Sequence, residues 1–549
     1  MDRKKRILFV TESHKIASGF GVYANEIIPR INATNKYDIA QLACYSSPED
    51  FEDTDWLIYG NGPMKNEDEY KKQHNEHAII QWGYLKFEHA CLDFKPDIVV
   101  TWRDPWMDSY IAESIYLPFF HWVWMPTVDS YPQKTEWLYT FKKCDGLLAY
   151  SEYGIKSLSK QTNNRIIPKG CASPAIDPNI FNIIPNKQKH KESFGLEGDS
   201  FIVGTVMRNQ KRKMYPELMS SFKDFLNQAP KEIAKKSYLY LHTSYPERQG
   251  WDITSLIHEY GIGSKILVTY SCQECKHYFP SYYRDALTIC DKCGRKSATM
   301  PGVSNGIKHS DLVDIYNLMD IYVQYAICEG FGMPQVEAAA CGVPIAAINY
   351  SAMEDVIKYC NGYPIESSLE KEFETNAYRS KSNNKALTSI LLKFLKQTEQ
   401  EKKQQRLETR KGCITRYTWD NAVKTWINYF DNVELKKLKG KWNSPSLMQK
   451  PPNEIPKNID NEKFVEWIFT KLIQDEEDSY NYKMLSMLRD LNYSASMDFG
   501  KLDNFNKNIA FEQSKKIADR RYYFDMLRTG NIKNEPHSFI IEAYKRIKQ

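Results

Sequence analysis

Short apolar runs separated by helical stretches recur along the first 350 residues or so, and this alternation constrains the fold of the chain more than any other feature. The run RILFVTES (Arg6 to Ser13) reads as a buried strand. A glycine-bearing turn follows (Ser18, Gly19, Phe20, Gly21), and then a helical pattern from Val22 to Ile31. Further strand-like runs are PDIVVTW (Pro96 to Trp102), LPFFHWVW (Leu117 to Trp124) and GLLAYS (Gly146 to Ser151). A second series starts at FIVGTVMRN (Phe201 to Asn209) and continues with SYLYLHTS, KILVTYS, DIYVQYA and VPIAAINY. Strands that are apolar throughout, each followed by a helix, imply parallel sheets covered on both faces. The pattern therefore predicts an α/β chain with two Rossmann-like halves, joined near Pro178 to Lys191.

At 549 residues the chain exceeds what one core normally serves, which fits this division. We expect an N-terminal domain over residues 1–185 and a second over 186–415, with a helix over 416–436 crossing back to the first. Beyond about residue 370 the pattern reads as helical, and EQEKKQQRLETRK reads as a solvated helix. Residues 437–461 have the Pro- and Asn-rich composition of a linker, and 462–549 read as a helical extension. That extension carries basic and aromatic residues interleaved, in SKKIADRRYYFDMLRTGN, which suits a nucleic-acid or partner surface and equally a helical bundle. A net charge of +5 is compatible with anionic ligands but far from that of a dedicated nucleic-acid coat. The apolar run near the N-terminus, Ile7 to Val10, is too short for a signal peptide, and no stretch is long enough to cross a bilayer. The reading is a cytoplasmic protein whose 12 cysteines are thiols or metal ligands.

Four of those cysteines stand apart. Cys272, Cys275, Cys290 and Cys293 form two C-x-x-C knuckles with fourteen residues between them, a spacing that brings four thiolates to one zinc ion. Four thiolates leave no open coordination position, so the zinc would be structural. The segment over 270–300 is then a zinc-ribbon insertion, acting either as a staple for a long loop or as a reader of the acceptor through Lys276, His277, Tyr278, Tyr282, Tyr283 and Arg284.

The stretch CEGFGMPQVEAAACGVP (Cys328 to Pro344) pairs Glu329 with Glu337 around the turn Gly330, Phe331, Gly332. Pro334 and Gly342 mark the start and stop of a helix, so Glu329 sits at a strand end and Glu337 about one turn into the helix. A helix start of this kind presents backbone N–H groups and partial positive charge to anionic or sugar oxygens. This stretch resembles the signature of retaining glycosyltransferases of family 4, which have the two-Rossmann GT-B fold. The resemblance extends to GTVMRNQKRKMYPELMSSF, to the N-terminal glycine turn, to YSEYG and to IIPKGCASPAIDPNIF, and so covers roughly residues 1–435.

It implies a retaining transfer of sugar from a nucleotide donor (a UDP- or GDP-sugar) to a hydroxyl, with no catalytic metal and the leaving phosphate taking the acceptor proton. Arg208 and Lys213 would clamp the diphosphate, Glu329 and the backbone from Gly330 through Phe331 to Gly332 would hold the sugar, and Glu337 would accept the ribose hydroxyls. Gly19 and Gly21 would approach the diphosphate or acceptor. Many members place a His in the first domain where this chain has Trp124. His121 lies inside the strand, which leaves Asp129 and Asp104 as candidates for contacting sugar or acceptor hydroxyls, and we take Asp129 as the catalytic candidate. The wording of the stretch is most similar to members encoded by large bacterial viruses, which would place the protein in the host cytoplasm. The acceptor candidates are then a hydroxymethylated pyrimidine in DNA and a saccharide or cell-surface glycan. A different class of reading is a non-catalytic zinc-containing nucleic-acid-binding protein on a transferase fold.

Overall fold

The computed structural model describes residues 3–51, 54–114, 116–284, 287–302, 306–437 and 442, so the linker, but for 437 and 442, and the extension over 462–549 lie outside the described residues. The chain divides into two compact units. Of the described residues, the first holds those up to Pro126, Glu136–Leu147 and those from Asp431 on; the second holds those of Thr127–Thr135 and Leu148–Phe430. The segment Thr127–Thr135 therefore interrupts the first Rossmann series but packs with the second unit, which places Asp129 in the second unit.

The first unit is built on a six-stranded parallel sheet with the order β3-β2-β1-β4-β5-β6. Its strands are β1 (Lys5–Glu12), β2 (Tyr37–Cys44), β3 (Leu57–Gly60), β4 (Ile98–Thr101), β5 (His121–Trp124) and β6 (Gly146–Leu147). Ile7 to Val10 of β1 are fully buried because β1 lies between β2 and β4 and helices cover both faces. Two expectations change here. The helix after β1 is Gly19–Asn32 and so begins three residues before Val22, because Ser18 is its N-cap and accepts the Gly21 N–H at 3.0 Å. The run LPFF is not strand: Leu117–Phe119 forms a 3-10 turn with Pro118 in its first positions, and only His121–Trp124 pairs in the sheet.

The second unit carries a nine-stranded sheet in the order β11-β12-β9-β8-β7-β13-β14-β15, with β10 on the other edge of β9. The parallel portion is β7 (Phe201–Val206), β8 (Ser237–His242), β9 (Ile266–Cys272), β13 (Ile321–Gln324), β14 (Ile345–Ile348) and β15 (Tyr363–Ile365). The strand order reverses direction at β7 and β13, the kind of switch point where doubly wound sheets bind ligands. The end of β9 runs on into an antiparallel insertion made of β10 (Tyr278–Tyr282), β11 (Thr288–Ile289) and β12 (Lys296–Thr299).

The pattern beyond about residue 370 reads as helical, but the chain there first forms a hairpin, β16 (Ser367–Lys371) with β17 (Tyr378–Ser382). Exposed charged residues on both strands hide it from periodicity, and its pairing is set by backbone bonds to the rest of the unit. Tyr378 N donates to Tyr131 O and Ser380 N to Ile327 O, at 2.8 and 3.0 Å. The lysine- and glutamine-rich run does form a helix, Glu399–Arg416, opened by a Thr398–Glu401 capping box. Most of it is solvated, but Arg410 donates to the Phe181 carbonyl at 2.7 Å and Cys413 Sγ to that of Val336 at 3.2 Å, docking one face on the second unit. Among the described residues no helix is long and apolar enough to cross a membrane.

Candidate functional site: two strand-end turns and a four-cysteine knuckle

In the second unit, β13 ends at Gln324 and the chain turns through Cys328 to Gly332 into the helix Met333–Ala340. Gly332 is the N-cap residue at φ 86°, a left-handed conformation that favours glycine, and no side chain caps the helix. A Cβ on Gly330 would come within 2.5 Å of Thr127 Cγ2, so the turn lies against the Thr127–Thr135 segment. Phe331 is buried with its ring edge-on to Tyr417 at 5.4 Å, which leaves its backbone rather than its side chain for any ligand.

Glu329 is buried, and each of its carboxylate oxygens has a partner. Lys213 Nζ contacts Oε1, which also accepts the Gln324 amide at 2.7 Å; Arg212 Nη1 donates to Oε2 at 2.7 Å. The Glu329 N–H donates to Ser351 Oγ at 2.9 Å, fixing the backbone as well. Burial and then the neighbouring Arg212 charge push the Lys213 ammonium toward neutrality, and contact with Glu329 opposes both. Lys213 is held by local structure: its N–H donates to Gln210 O and the next helix, Tyr215–Gln228, begins two residues on. Arg208 is not part of this cluster. Its side chain is 54% exposed and forks onto Glu247, with Nη2 3.0 Å from Oε1, which holds the Glu247 carboxyl below its usual range. The Arg208 guanidinium is thus exposed, whereas Lys213 is buried against Glu329.

Asp129 reaches the same strand end by another route. It accepts from Cys328 Sγ at 3.2 Å and pairs with Arg379 Nη1 at 3.1 Å, while Arg379 also grips Glu372 at 3.0 Å. Arg379 lies on β17, so the unexpected hairpin braces both Asp129 and the residue before Glu329. Glu337, buried one turn into the helix, accepts from Tyr316 OH at 2.5 Å and lies 2.7 Å from His309 Nε2. Burial and then the Glu337 charge raise the Tyr316 hydroxyl well above its ordinary pKa, so it stays a donor. His242 at the end of β8 is pushed down to about 4 by burial.

Sequence reasoning missed Arg212, Gln324, His309, Tyr316 and Arg379. Arg212 had a signal in the run QKRK, and Gln324 stood as a polar residue in an apolar strand. The other three had none, because only tertiary packing brings them to the carboxylates.

In the first unit, β1 ends at Glu12, and Ser18 Oγ donates to its carboxylate. A Cβ on Gly21 would meet the Ile16 carbonyl oxygen at 2.2 Å, so Gly21 is needed for the turn itself, whereas Gly19 faces open space. Asp104 is the N-cap residue of the short helix Pro105–Asp108. His121 is buried at the start of β5, and burial pulls its imidazole down toward the neutral form, as befits a core histidine.

The four insertion cysteines meet. Their sulfurs lie within 4.8 Å of one another, with Cys272 to Cys293 and Cys275 to Cys290 at 3.7 Å. Four thiolates on one zinc at about 2.3 Å need sulfur separations near about 3.8 Å, so the set fits a tetrahedral ion. Both knuckles turn alike: Lys276 N bonds Cys272 O and Gly294 N bonds Cys290 O, and Lys276 and Gly294 both take positive φ. The pairs Arg295–Glu274 (2.8 Å) and His277–Asp291 (3.1 Å) cross between the knuckles.

Residues 302–406, which hold both glutamates and the glycine turn, match the family model described as glycosyl transferases group 1. No curated protein matches the chain. Among solved structures, the chain is similar to a sucrose-phosphate synthase from Thermosynechococcus elongatus (TM-score 0.54, 14% identity, covering 78% of this chain and 98% of that one). A glycosyltransferase from Rickettsia africae is alike at TM-score 0.53 and 14% identity, with 78% and 98% covered. Anabaena HepE in complex with UDP and glucose matches at TM-score 0.54 and 13% identity, with 78% and 99% covered. The fold is α/β of the GT-B class: two Rossmann-like parallel-sheet domains, with a four-cysteine insertion compatible with a zinc ribbon in the second.

Proposed function

We propose that this chain is a retaining, nucleotide-sugar-dependent glycosyltransferase of family 4 that transfers a sugar from a UDP- or GDP-sugar to a hydroxyl acceptor. The observation that carries the reading is the clamp on Glu329: a buried carboxylate held by Lys213 and Arg212 at an uncapped helix start, inside the segment that matches the group 1 model. In the proposed reaction the bond from the anomeric carbon to the diphosphate breaks while a bond to the acceptor oxygen forms on the same face. The acceptor proton passes to the leaving phosphate oxygen. Charge builds on that phosphate, and Lys213, Arg208 and the helix N–H groups are fixed positive partners for it. Glu329, already ion-paired, acts as a hydroxyl holder for the sugar rather than as a general acid. Glu337 accepts the ribose hydroxyls, and Asp129 orients the acceptor hydroxyl.

Zinc held by Cys272, Cys275, Cys290 and Cys293 would be structural and take no part in the chemistry. The acceptor is a hydroxymethylated pyrimidine in DNA or a saccharide; exposed Lys276 and Arg284 on the insertion favour the polyanion. Incubation with a panel of UDP- and GDP-sugars, with hydroxymethylated DNA and a glycan offered in parallel, tests both levels. We expect slow donor hydrolysis that Glu337→Ala abolishes, and an acceptor whose mass rises by one sugar. Silence with every donor would overturn the enzyme reading.

A further inference from the structure

Tyr278 lies three residues beyond Cys275, at the first position of β10, paired with Ser271 of β9 next to Cys272. Its hydroxyl leaves the insertion and donates to Asp314 Oδ2 at 2.7 Å. Asp314 belongs to the helix Leu312–Leu318, and that helix also carries Tyr316, the 2.5 Å donor to Glu337. His309, the second Glu337 partner, lies in the turn that leads into it. Positions 314 and 316 are about 200° apart around a helix axis, so the helix is gripped from the insertion on one side while it holds Glu337 on the other.

Beyond the pairing of β10 with β9 and the burial of Phe279, the grip at Tyr278 adjoins the knuckle. Ser271 and Cys272 continue into β9, but the turn from Gln273 to Lys276 and the segment from Asp291 to Lys296 are solvent-exposed throughout. Apolar packing does little there, and a metal ion is the element that would fix the four sulfurs and with them the start of β10. His190 Nε2 meets the Asp314 carbonyl oxygen at 3.0 Å, Asn317 donates to the Asn182 carbonyl at 3.0 Å, and its side-chain oxygen accepts from Ile184 N–H at 3.1 Å. The helix thus has other anchors, but none of them comes from the insertion.

We infer that metal binding at the four cysteines positions the nucleotide-sugar site through the Tyr278–Asp314 hydrogen bond, with Tyr278 and Asp314 as positioning residues for Glu337. The inference rests on the donor-site reading given above. It makes the insertion part of the site's architecture, in a way that an isolated loop staple would not be.

The experiment measures UDP and GDP affinity calorimetrically, and metal content by elemental analysis, before and after chelation of the full chain. In the wild type, chelation is expected to weaken nucleotide binding about 5-fold or more. Tyr278→Phe keeps the ring and the metal but should bind as weakly as the chelated wild type, and chelation should then change nothing further. Asp314→Ala should match Tyr278→Phe, whereas Asp314→Asn, which still accepts a hydrogen bond, should recover most of the affinity. Unchanged affinity in Tyr278→Phe with full metal content would overturn the inference. If the wild type binds neither nucleotide, the donor-site reading fails separately. Amide exchange over 312–318 then decides the coupling: chelation must accelerate it in the wild type and not in Tyr278→Phe, and equal exchange in both would overturn it.

Discussion

Two strand ends in this chain look alike in sequence and differ in what they leave open. Each unit has a helix that starts from a glycine-bearing turn beyond a buried strand; Glu12 is the last residue of β1, whereas Glu329, expected at the strand end, lies in the turn five residues past β13. After β1 the turn is closed upon itself: Ser18 caps the helix, takes the Gly21 N–H and donates to Glu12. After β13 the helix has no side-chain cap, its N-cap residue is left-handed Gly332, and Glu329 is surrounded by Lys213, Arg212 and Gln324. A capped end has used its donors locally, whereas an uncapped end beside two cations retains donors and charge for an anionic ligand. The proposed function puts the phosphate at the second turn, and the closed geometry of the first shows a turn whose cap bonds are made locally.

The sharpest way to break that assignment is to remove the buried cation. Lys213→Ala is expected to lower sugar transfer about 100- to 1000-fold, because a preorganised charge facing a developing anion has effects of that size. The same variant leaves Glu329 with Arg212 and Gln324, so a folded protein with nearly full activity would place the diphosphate elsewhere. Turnover with the best donor, corrected for the folded fraction, is the measurement.

Much of this was legible and some was not, for physical reasons. The buried parallel strands of the second unit are mostly apolar, and runs such as FIVGTV can hardly be read otherwise. The four cysteines were legible because metal spacing is local. The hairpin of β16 and β17 was missed because its residues are charged and its partners, Tyr131 and Ile327, are distant in sequence. The same holds for the Glu337 partners: nothing local marks Tyr316 or His309 as its donors. Ser18 shows the opposite case, since a serine three residues before the second of two glycines is a helix cap that periodicity alone overlooked.

The glycines sharpen the contrast at a smaller scale. Gly332→Ala forces a side chain into φ 86° and brings its Cβ 2.8 Å from the Gln335 amide nitrogen, which should cost about 1–3 kcal/mol. Gly19 lies in the first turn of a helix with nothing near its missing Cβ, so Gly19→Ala should be neutral or add up to about 1 kcal/mol. Urea titrations of both variants would measure the difference. A Gly332→Ala protein as stable as the wild type would mean that the turn has no need of its left-handed residue. If Gly19→Ala is stable yet slow in transfer, Gly19 serves a ligand that approaches the first turn.

The smallest effect lies in the first turn's own glutamate. Burial raises the Glu12 carboxyl above its ordinary pKa, although the Ser18 hydrogen bond and the Arg103 charge pull the other way. The folded state therefore keeps this proton longer than the unfolded chain does, and stability falls as pH rises from the ordinary carboxylate range, about 4.3, through the raised value. Glu12→Gln keeps an oxygen to accept from Ser18 and has no charge to bury. Its stability relative to wild type should thus increase across that window and stay level above it, as read from urea midpoints between pH 4 and pH 7. A flat difference across the window would mean that Glu12 is solvated or ion-paired as Glu329 is, and the first turn would lose its claim to be the closed one.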